Sequence, residues 1–224
     1  MQEAPARKGH AMRAREVISR GSKKFRVKFP SKKLNRGVHC ESLLERDFLY
    51  LLEFSPGVIS YKEQPEKIFY ERHGKTHAYF PDFEVRLRNG KVLYVEIKPL
   101  RVINTVRNLS KFEAIINHFE LQKRDFRIFT DHRIRKQPLL GNLEGLYKFL
   151  RSARDISADR LKIFDLLATR KTYTLGSLAN VVGVIPVNIM LAHHELICDL
   201  NKNFWASDNY VWLVKEDHRD SVLF

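Results

Sequence analysis

Polar and apolar positions alternate in F-E-V-R-L at 83–87 and then give way to an almost continuous apolar run, V-L-Y-V-E-I at 92–97. Successive strand residues point to opposite faces, so this pattern predicts two strands, one half-buried and one buried on both sides. Arg88-Asn89-Gly90-Lys91 between them holds an Asn-Gly pair, the strongest short hairpin signal. Helical spacing governs Glu41–Phe54, with apolar residues at 43, 44, 48, 51 and 52, and Pro56-Gly57 ends that helix. The same spacing governs Asn104–Leu121 through Val106, Leu109, Phe112, Ile115, Ile116 and Phe119. Val58–Tyr70 reads as extended, interrupted at Gln64-Pro65, with Lys67–Tyr70 a strand and Glu71–His77 a polar turn around Gly74. Phe126–Thr130 reads as a buried strand; strand, helix, strand implies a right-handed crossover and a mixed sheet. One further helix is predicted over Gly141–Leu150, with Arg151–Arg154 as a linker.

Beyond the linker the pattern changes to helices over Ser157–Ala168, with Ser157 as cap, Leu175–Val182 and Val187–Leu200, the last two broken apart by Gly183 and Pro186. Phe204-Trp205 and Tyr210–Val214 flank a hairpin signal at 206–209. Three helices followed by a hairpin is a winged-helix order. The expected architecture is α/β, with a basic arm over 1–37, a mixed sheet flanked by helices over 38–150 and a winged-helix-like domain over 155–224.

Charge sharpens that division. The 224 residues carry a net +14, of which +10 falls within residues 1–37 and −2 within 155–224. Such an excess points to a polyanion, most simply nucleic acid, with the arm as its electrostatic handle. The expected helix Val187–Leu200 has no Lys or Arg and carries Glu195 and Asp199, so the tail is expected to contact protein. Cys40 and Cys198 show no metal-ligand spacing and read as reduced thiols of an intracellular protein. No apolar run approaches the roughly 20 residues needed to span a bilayer, and no apolar signal segment opens the chain, so a cytoplasmic location is expected.

The chemistry sits on the hairpin. Glu96 and Lys98 are two apart and leave one face of the second strand. A hairpin closed on Asn89-Gly90 brings Asp82, just after Pro81, beside them. Two carboxylates and an ammonium then converge. Clustered carboxylates repel, and a hard divalent cation relieves the repulsion. Such a cation activates water and stabilises charge on phosphoryl oxygens, while Lys98 orients the water or balances negative charge. This predicts phosphodiester hydrolysis.

P-D at 81–82 followed by E-I-K at 96–98 resembles the PD-(D/E)-x-K signature of the restriction-endonuclease-like fold. Together with E-S-L-L-E-R-D-F-L-Y-L-L-E-F-S-P-G-V from Glu41 and Y-K-E-Q-P at 61–65, it is similar to TnsA, the endonuclease subunit of heteromeric cut-and-paste transposons, over about 38–131. The resemblance implies a Mg²⁺-dependent endonuclease, with Mn²⁺ able to substitute, that cleaves the 5′ ends at transposon ends in double-stranded DNA. It implies a TnsB-like DDE transposase and a TnsC-like AAA+ ATPase as partners, on the bacterial nucleoid. Asp82 and Glu96 would be metal ligands, Glu96 standing where the family often has Gln. Glu45 matches the family's helix glutamate, a third catalytic acid and metal ligand, although the sequence alone leaves Glu41 and Glu45 both open. Glu63 and Gln64 match the family's E-Q pair, with Gln64 expected near DNA or a carboxylate. Lys23, Lys24, Arg26, Lys28, Lys32 and Lys33 of the arm, and Arg133, Arg135 and Lys136 after the Thr-Asp pair at 130–131, are expected on the DNA side. Two other readings fit the residues: a stand-alone restriction or repair-type nuclease, and a non-catalytic DNA-binding adaptor.

Overall fold

A computed structural model of the chain describes residues 27–169 and 171–224. Lys23, Lys24 and Arg26, with most of the expected arm, lie outside the described residues. Residues 27–37, expected to belong to that arm, instead start the folded body. Strands β1 (Val27–Ser31) and β2 (Arg36–Cys40) pair antiparallel, with Phe29 opposite Val38. Both side chains are buried, so the alternation of Val27 and Phe29 with cations marks a strand rather than a solvated tail. Helix α1 (Leu43–Glu53) follows, capped by Ser42, whose hydroxyl accepts from the Glu45 amide, while the Glu45 carboxylate reaches back to the Glu41 amide ahead of the cap.

The central sheet has the order β3-β6-β7-β8, built from β3 (Val58–Glu63), β6 (Phe83–Leu87), β7 (Val92–Ile97) and β8 (Asp125–Phe129). The first three strands are antiparallel; β8 joins parallel to β7, as the strand–helix–strand reading requires. The turn closes at Gly90, whose φ of +83° suits glycine, while Asn89 Oδ1 accepts from the Lys91 amide at 3.1 Å. Leu93 to Ile97 are all buried, including Glu96, which is why this central strand reads as continuously apolar.

One face of the sheet packs on α1, where Phe48 lies 5.0 Å from Phe129 and 6.1 Å from Phe83 between ring centroids. The other face packs on α3 (Val106–Leu121), which follows the single turn α2 (Leu100–Ile103). There Phe112, Ile115 and Phe119 meet Tyr94 of β7 and Tyr70 and Tyr79 of a second hairpin, β4 (Ile68–Arg72) and β5 (Lys75–Tyr79). The polar turn expected over Glu71–His77 is narrower than that: it turns at His73-Gly74, and Lys75 onward is strand. Its polar residues are the exposed side of a hairpin rather than a loop.

Past β8 come the short α4 (Asp131–Ile134), α5 (Leu139–Tyr147) and a 3₁₀ turn over Lys148–Arg151. The tail then supplies α6 (Ser157–Ala168), β9 (Tyr173–Thr174), α7 (Leu175–Val182), α8 (Val184–Ala192), β10 (Leu196–Cys198) and β11 (Tyr210–Leu213), with a small sheet ordered β10-β11-β9. Three expectations change here. Helix α8 starts before Pro186 and ends at Ala192, because proline is tolerated in a first turn, where its missing N–H has no partner to lose. The chain then reverses through His194 at φ +57° into β10, so Glu195 and Asp199 are not helical, and Phe204-Trp205 lie in a loop. Ser157 is the first residue of α6; Asp155 accepts from both its amide and its hydroxyl.

The hydrophobic core runs on from the central sheet through α5 into α7, α8 and the small sheet. Pro186 to Ala192 are all buried. The expected linker is pinned as well: Arg151 donates to the Pro30 carbonyl at 3.0 Å, and Ile156 is buried. The last residues fold back onto the central body. Leu223 donates its amide to Ser55 Oγ at 2.9 Å, and the Phe224 ring lies 5.5 Å from Phe48 and 5.4 Å from Phe129. Among the described residues no helix is long and apolar enough to cross a membrane.

Candidate active site

Asp82 enters the sheet one residue before β6, and Glu96 sits near the far end of β7, so pairing of Phe83 with Val95 sets them side by side. Asp82 Oδ2 accepts from the Ile97 amide at 2.7 Å, and the Asp82 carbonyl accepts from the Gln64 amide at 2.9 Å. Glu96 is only 2% exposed; its Oε1 pairs with Lys98 Nζ at 3.0 Å and its Oε2 accepts from the Tyr79 hydroxyl at 2.5 Å. The trio expected from the hairpin is therefore assembled at one end of the sheet.

Electrostatics mark this point as unusual. Burial pushes the Asp82 carboxyl well above its ordinary range, and the neighbouring Glu96 charge pushes it further, against the pull of Lys98. Burial would pull the Lys98 ammonium down, but Asp82, Glu96 and Glu45 outweigh it and hold the proton more firmly than usual. Lys98 is thus a fixed positive charge here, not a proton donor. Tyr79, buried and facing Glu96 and Asp82, is held well above its ordinary range and stays a neutral donor.

Glu45 lies at the edge of this group. Its charge acts on both Asp82 and Lys98, and burial raises its own carboxyl despite the Glu41 amide and Ser42 hydroxyl that bond to it. Glu41, the other acid left open by the sequence, accepts from Gln64 Nε2 at 3.2 Å. Gln64 Oε1 is buried with no hydrogen-bond partner, and its backbone sits at φ +42°, rare for a residue with a side chain. Burying an acceptor without a donor costs about 1–3 kcal/mol. The Asp82 and Glu96 carboxylates, close enough for each charge to act on the other, make an oxygen-rich pair suited to a hard cation.

Glu45 as a third metal ligand fits less well. Oε1 accepts from Ser42 Oγ at 2.9 Å and Oε2 from the Glu41 amide at 2.8 Å, so both carboxylate oxygens are already engaged at the start of α1. Among the described residues no group of three or more His, Cys, Asp or Glu could hold one metal ion.

The expected DNA-facing residues divide. Lys28, Lys32, Arg133 and Lys136 are exposed. Lys33 is not a surface cation: its Nζ donates to the Ser55 and Val58 carbonyls, both at 2.9 Å, and burial brings it down to about 8. Arg135 donates to the buried Asp47 at 2.7 Å, tying α4 to α1. Glu63 is a structural acid as well, bound bidentately by Arg36 at 2.8 and 2.5 Å. Asp131 caps a helix as expected of such a residue, but the one it caps is α2, by accepting from the Leu100 amide at 2.8 Å.

Two residues near the trio went unread in the sequence. Tyr79 reaches Glu96 from β5. Lys111 of α3 holds its Nζ 5.3 Å from the centre of the Tyr79 ring, and its charge interacts with Glu96, Lys98 and Asp82. Neither belongs to a local motif; only the packing of the β4–β5 hairpin and α3 on the sheet brings them in. A faint signal existed for Tyr79, a tyrosine three residues before Asp82 in Y-F-P-D.

No curated protein matches the chain. Residues 55–131 match the family model described as TnsA-like endonuclease N terminal. That span holds Asp82, Glu96, Lys98, Tyr79 and Lys111, and leaves Glu45 and the whole tail outside it. Over residues 55–131 the resemblance carried by P-D and E-I-K is borne out, and this part of the chain matches a TnsA-like endonuclease N-terminal domain.

Proposed function

We propose that the chain is a metal-dependent DNA endonuclease that cleaves at the ends of a mobile element. The observation that carries this reading is the convergence of Asp82, Lys98 and the buried Glu96 at one end of the sheet within the matched domain. Asp82 and Glu96 would hold a Mg²⁺ or Mn²⁺ ion. Such an ion supplies a water of lowered pKa and a Lewis acid for the scissile phosphate. Lys98, held protonated, orients that water or balances charge on the phosphoryl oxygens. Tyr79 fixes one Glu96 oxygen while Lys98 takes the other, so the carboxylate is aimed before substrate arrives. Glu45 adds negative charge at the edge and orders the start of α1 through its bonds to the Glu41 amide and the Ser42 hydroxyl.

The finer role is strand-specific: cleavage of the 5′ ends at transposon ends, beside a TnsB-like DDE transposase and under a TnsC-like AAA+ ATPase. The tail, winged-helix-like in its element order, serves protein contact in this reading. Helix α8, in the position of a recognition helix, is buried along Pro186–Ala192 and is closed to a DNA groove. Trp205 and Trp212, in contrast, are 48% and 50% exposed, which suits aromatic anchors of an interface.

The deciding experiment is strand-resolved cleavage of end-containing duplex by the full chain, with Mg²⁺, with EDTA, and with partner proteins added. Cleavage that needs the metal and vanishes in Asp82→Ala supports the reading. Equal cleavage with EDTA, or by Asp82→Ala protein, overturns it. Metal-dependent cleavage that ignores the partner proteins and the end sequence favours a stand-alone nuclease.

A further inference from the structure

Between Lys98 and Phe112 the chain carries Lys98, Arg101, Arg107 and Lys111 and no acid at all. The fold gathers part of this charge against the β4–β5 hairpin. Arg72, at the end of β4, donates through one terminal nitrogen to the Arg107 carbonyl at 3.5 Å, while its Nε is buried with no partner. Beside it, Ser110 Oγ lies 3.3 Å from His73 Nε2. One residue on, Lys111 lies over the Tyr79 ring, whose hydroxyl holds Glu96. Arg107 is exposed, and Arg72 and Lys111 are half-buried. The first turn of α3 contains no acid, so the positive end of the helix adds to this field.

Glu96 and Asp82 of the trio act on Lys111, at the inner end of this group; the acids farther out lie apart from Arg72 and Arg107. Glu71, next to Arg72 in the chain, accepts from the Thr76 hydroxyl on the outer side of the hairpin. Glu113 is exposed on α3, beyond Lys111. What remains is a ridge of three cations that starts beside the catalytic carboxylates and runs outward along α3. Guanidinium groups fit phosphate oxygens bidentately, and a buried Nε without a partner is a donor that a small turn of the Arg72 side chain onto such an oxygen would satisfy.

We infer that Arg72, Arg107 and Lys111 form a phosphate-binding ridge that holds the DNA backbone alongside the scissile position. The inference rests on the nuclease reading for its substrate but adds a surface that the sequence motifs do not mark. The ligand is the sugar–phosphate backbone of duplex DNA, held without base contacts, so the ridge contributes affinity and register rather than sequence choice.

The test uses the full chain with Asp82→Ala, so that bound duplex is not cut, and measures affinity for a short end-containing duplex by anisotropy across a salt series. Each phosphate no longer neutralised should lower the slope of log affinity against log salt by about 0.9. Arg72→Gln, Arg107→Gln and Lys111→Gln should therefore each flatten the slope, the triple variant by nearly three times as much, and Lys111→Arg should keep it. Arg107→Gln changes an exposed side chain and reads the ridge even where the other two disturb packing; thermal melts identify such variants. A triple variant with the parental slope overturns the inference, as does a parent protein that binds no duplex. Cleavage by the chain with its native Asp82 decides the nuclease reading separately, so either idea can fail while the other stands.

Discussion

Tyr79 donates its hydroxyl to Glu96 Oε2 at 2.5 Å while Lys98 holds Oε1 at 3.0 Å, so both oxygens of a carboxylate that is 2% exposed are fixed, by the last residue of β5 and the residue after β7. Tyr79→Phe keeps the ring that packs on Tyr70 and Phe126 and removes only the donor. Cleavage is expected to fall about 10-fold or more, as for outer partners of ligating groups, with a higher metal concentration needed for half-maximal rate. A variant with unchanged metal dependence would show that Glu96 is aimed without Tyr79.

Replacing a member of the trio should be more severe. Asp82→Ala, Glu96→Ala and Lys98→Ala are each expected to lower the cleavage rate by about 100-fold or more, because metal or water positioning is lost. Melting curves should show folded protein. A Lys98→Ala enzyme cutting at the parental rate would remove the fixed cation from the mechanism.

Glu53 tests what holds the expected arm's end in the fold. This buried carboxylate accepts from the hydroxyls of Ser31 and Tyr61, both at 2.7 Å, and from the amides of Lys32 and Lys33 at 2.8 and 3.2 Å. Glu53→Ala orphans all four donors and should cost about 3 kcal/mol or more, since each buried unpaired group costs about 1–3 kcal/mol. Urea unfolding reads the loss, and a midpoint within error of the parent would refute the network.

A pH dependence follows from His194. Burial, with the nearby Lys33 charge, lowers it to about 4 from the ordinary 6.5. Between those values the unfolded chain binds more protons than the folded one, so stability falls as pH drops through the window. The slope from this residue is at most about 1.4 kcal/mol per pH unit. His194→Asn, which suits the positive φ, should flatten the stability profile between those two values and leave neutral pH little changed; an identical profile would place His194 in solvent.

Deleting the arm upstream of β1 should weaken duplex binding and flatten its salt dependence by about 0.9 for each phosphate the arm neutralises. A salt titration with unchanged slope would show those cations idle.

The hairpin and its trio were readable because their determinants are local. Asn89-Gly90 sets the turn, and residues two apart in a strand share a face whatever surrounds them. The site's remaining parts depend on tertiary packing. Lys33 and Lys32 look alike in sequence, yet only Lys33 finds two carbonyls at the end of α1. Arg135 reads as a DNA-facing cation until Asp47, 88 residues earlier, proves to need a partner in the core. Pro186 looks like a helix breaker but lies in a first turn, where the usual objection to proline lapses. For the same reason the acids read onto a recognition helix fall beyond its end.

The return of Phe224 to Phe48 and Phe129 has a consequence for how the protein is made. A chain emerging from the ribosome presents Asp82, Glu96 and Lys98 long before Phe224 exists. Until then the aromatic stack between α1 and β8 lacks one of its rings, and Ser55 lacks the Leu223 amide. Synthesis therefore delivers the acids well before this part of the packing between α1 and β8. Substitutions at Leu223 or Phe224 should slow completion of the α1–β8 packing beside the candidate site, even though they touch none of its residues.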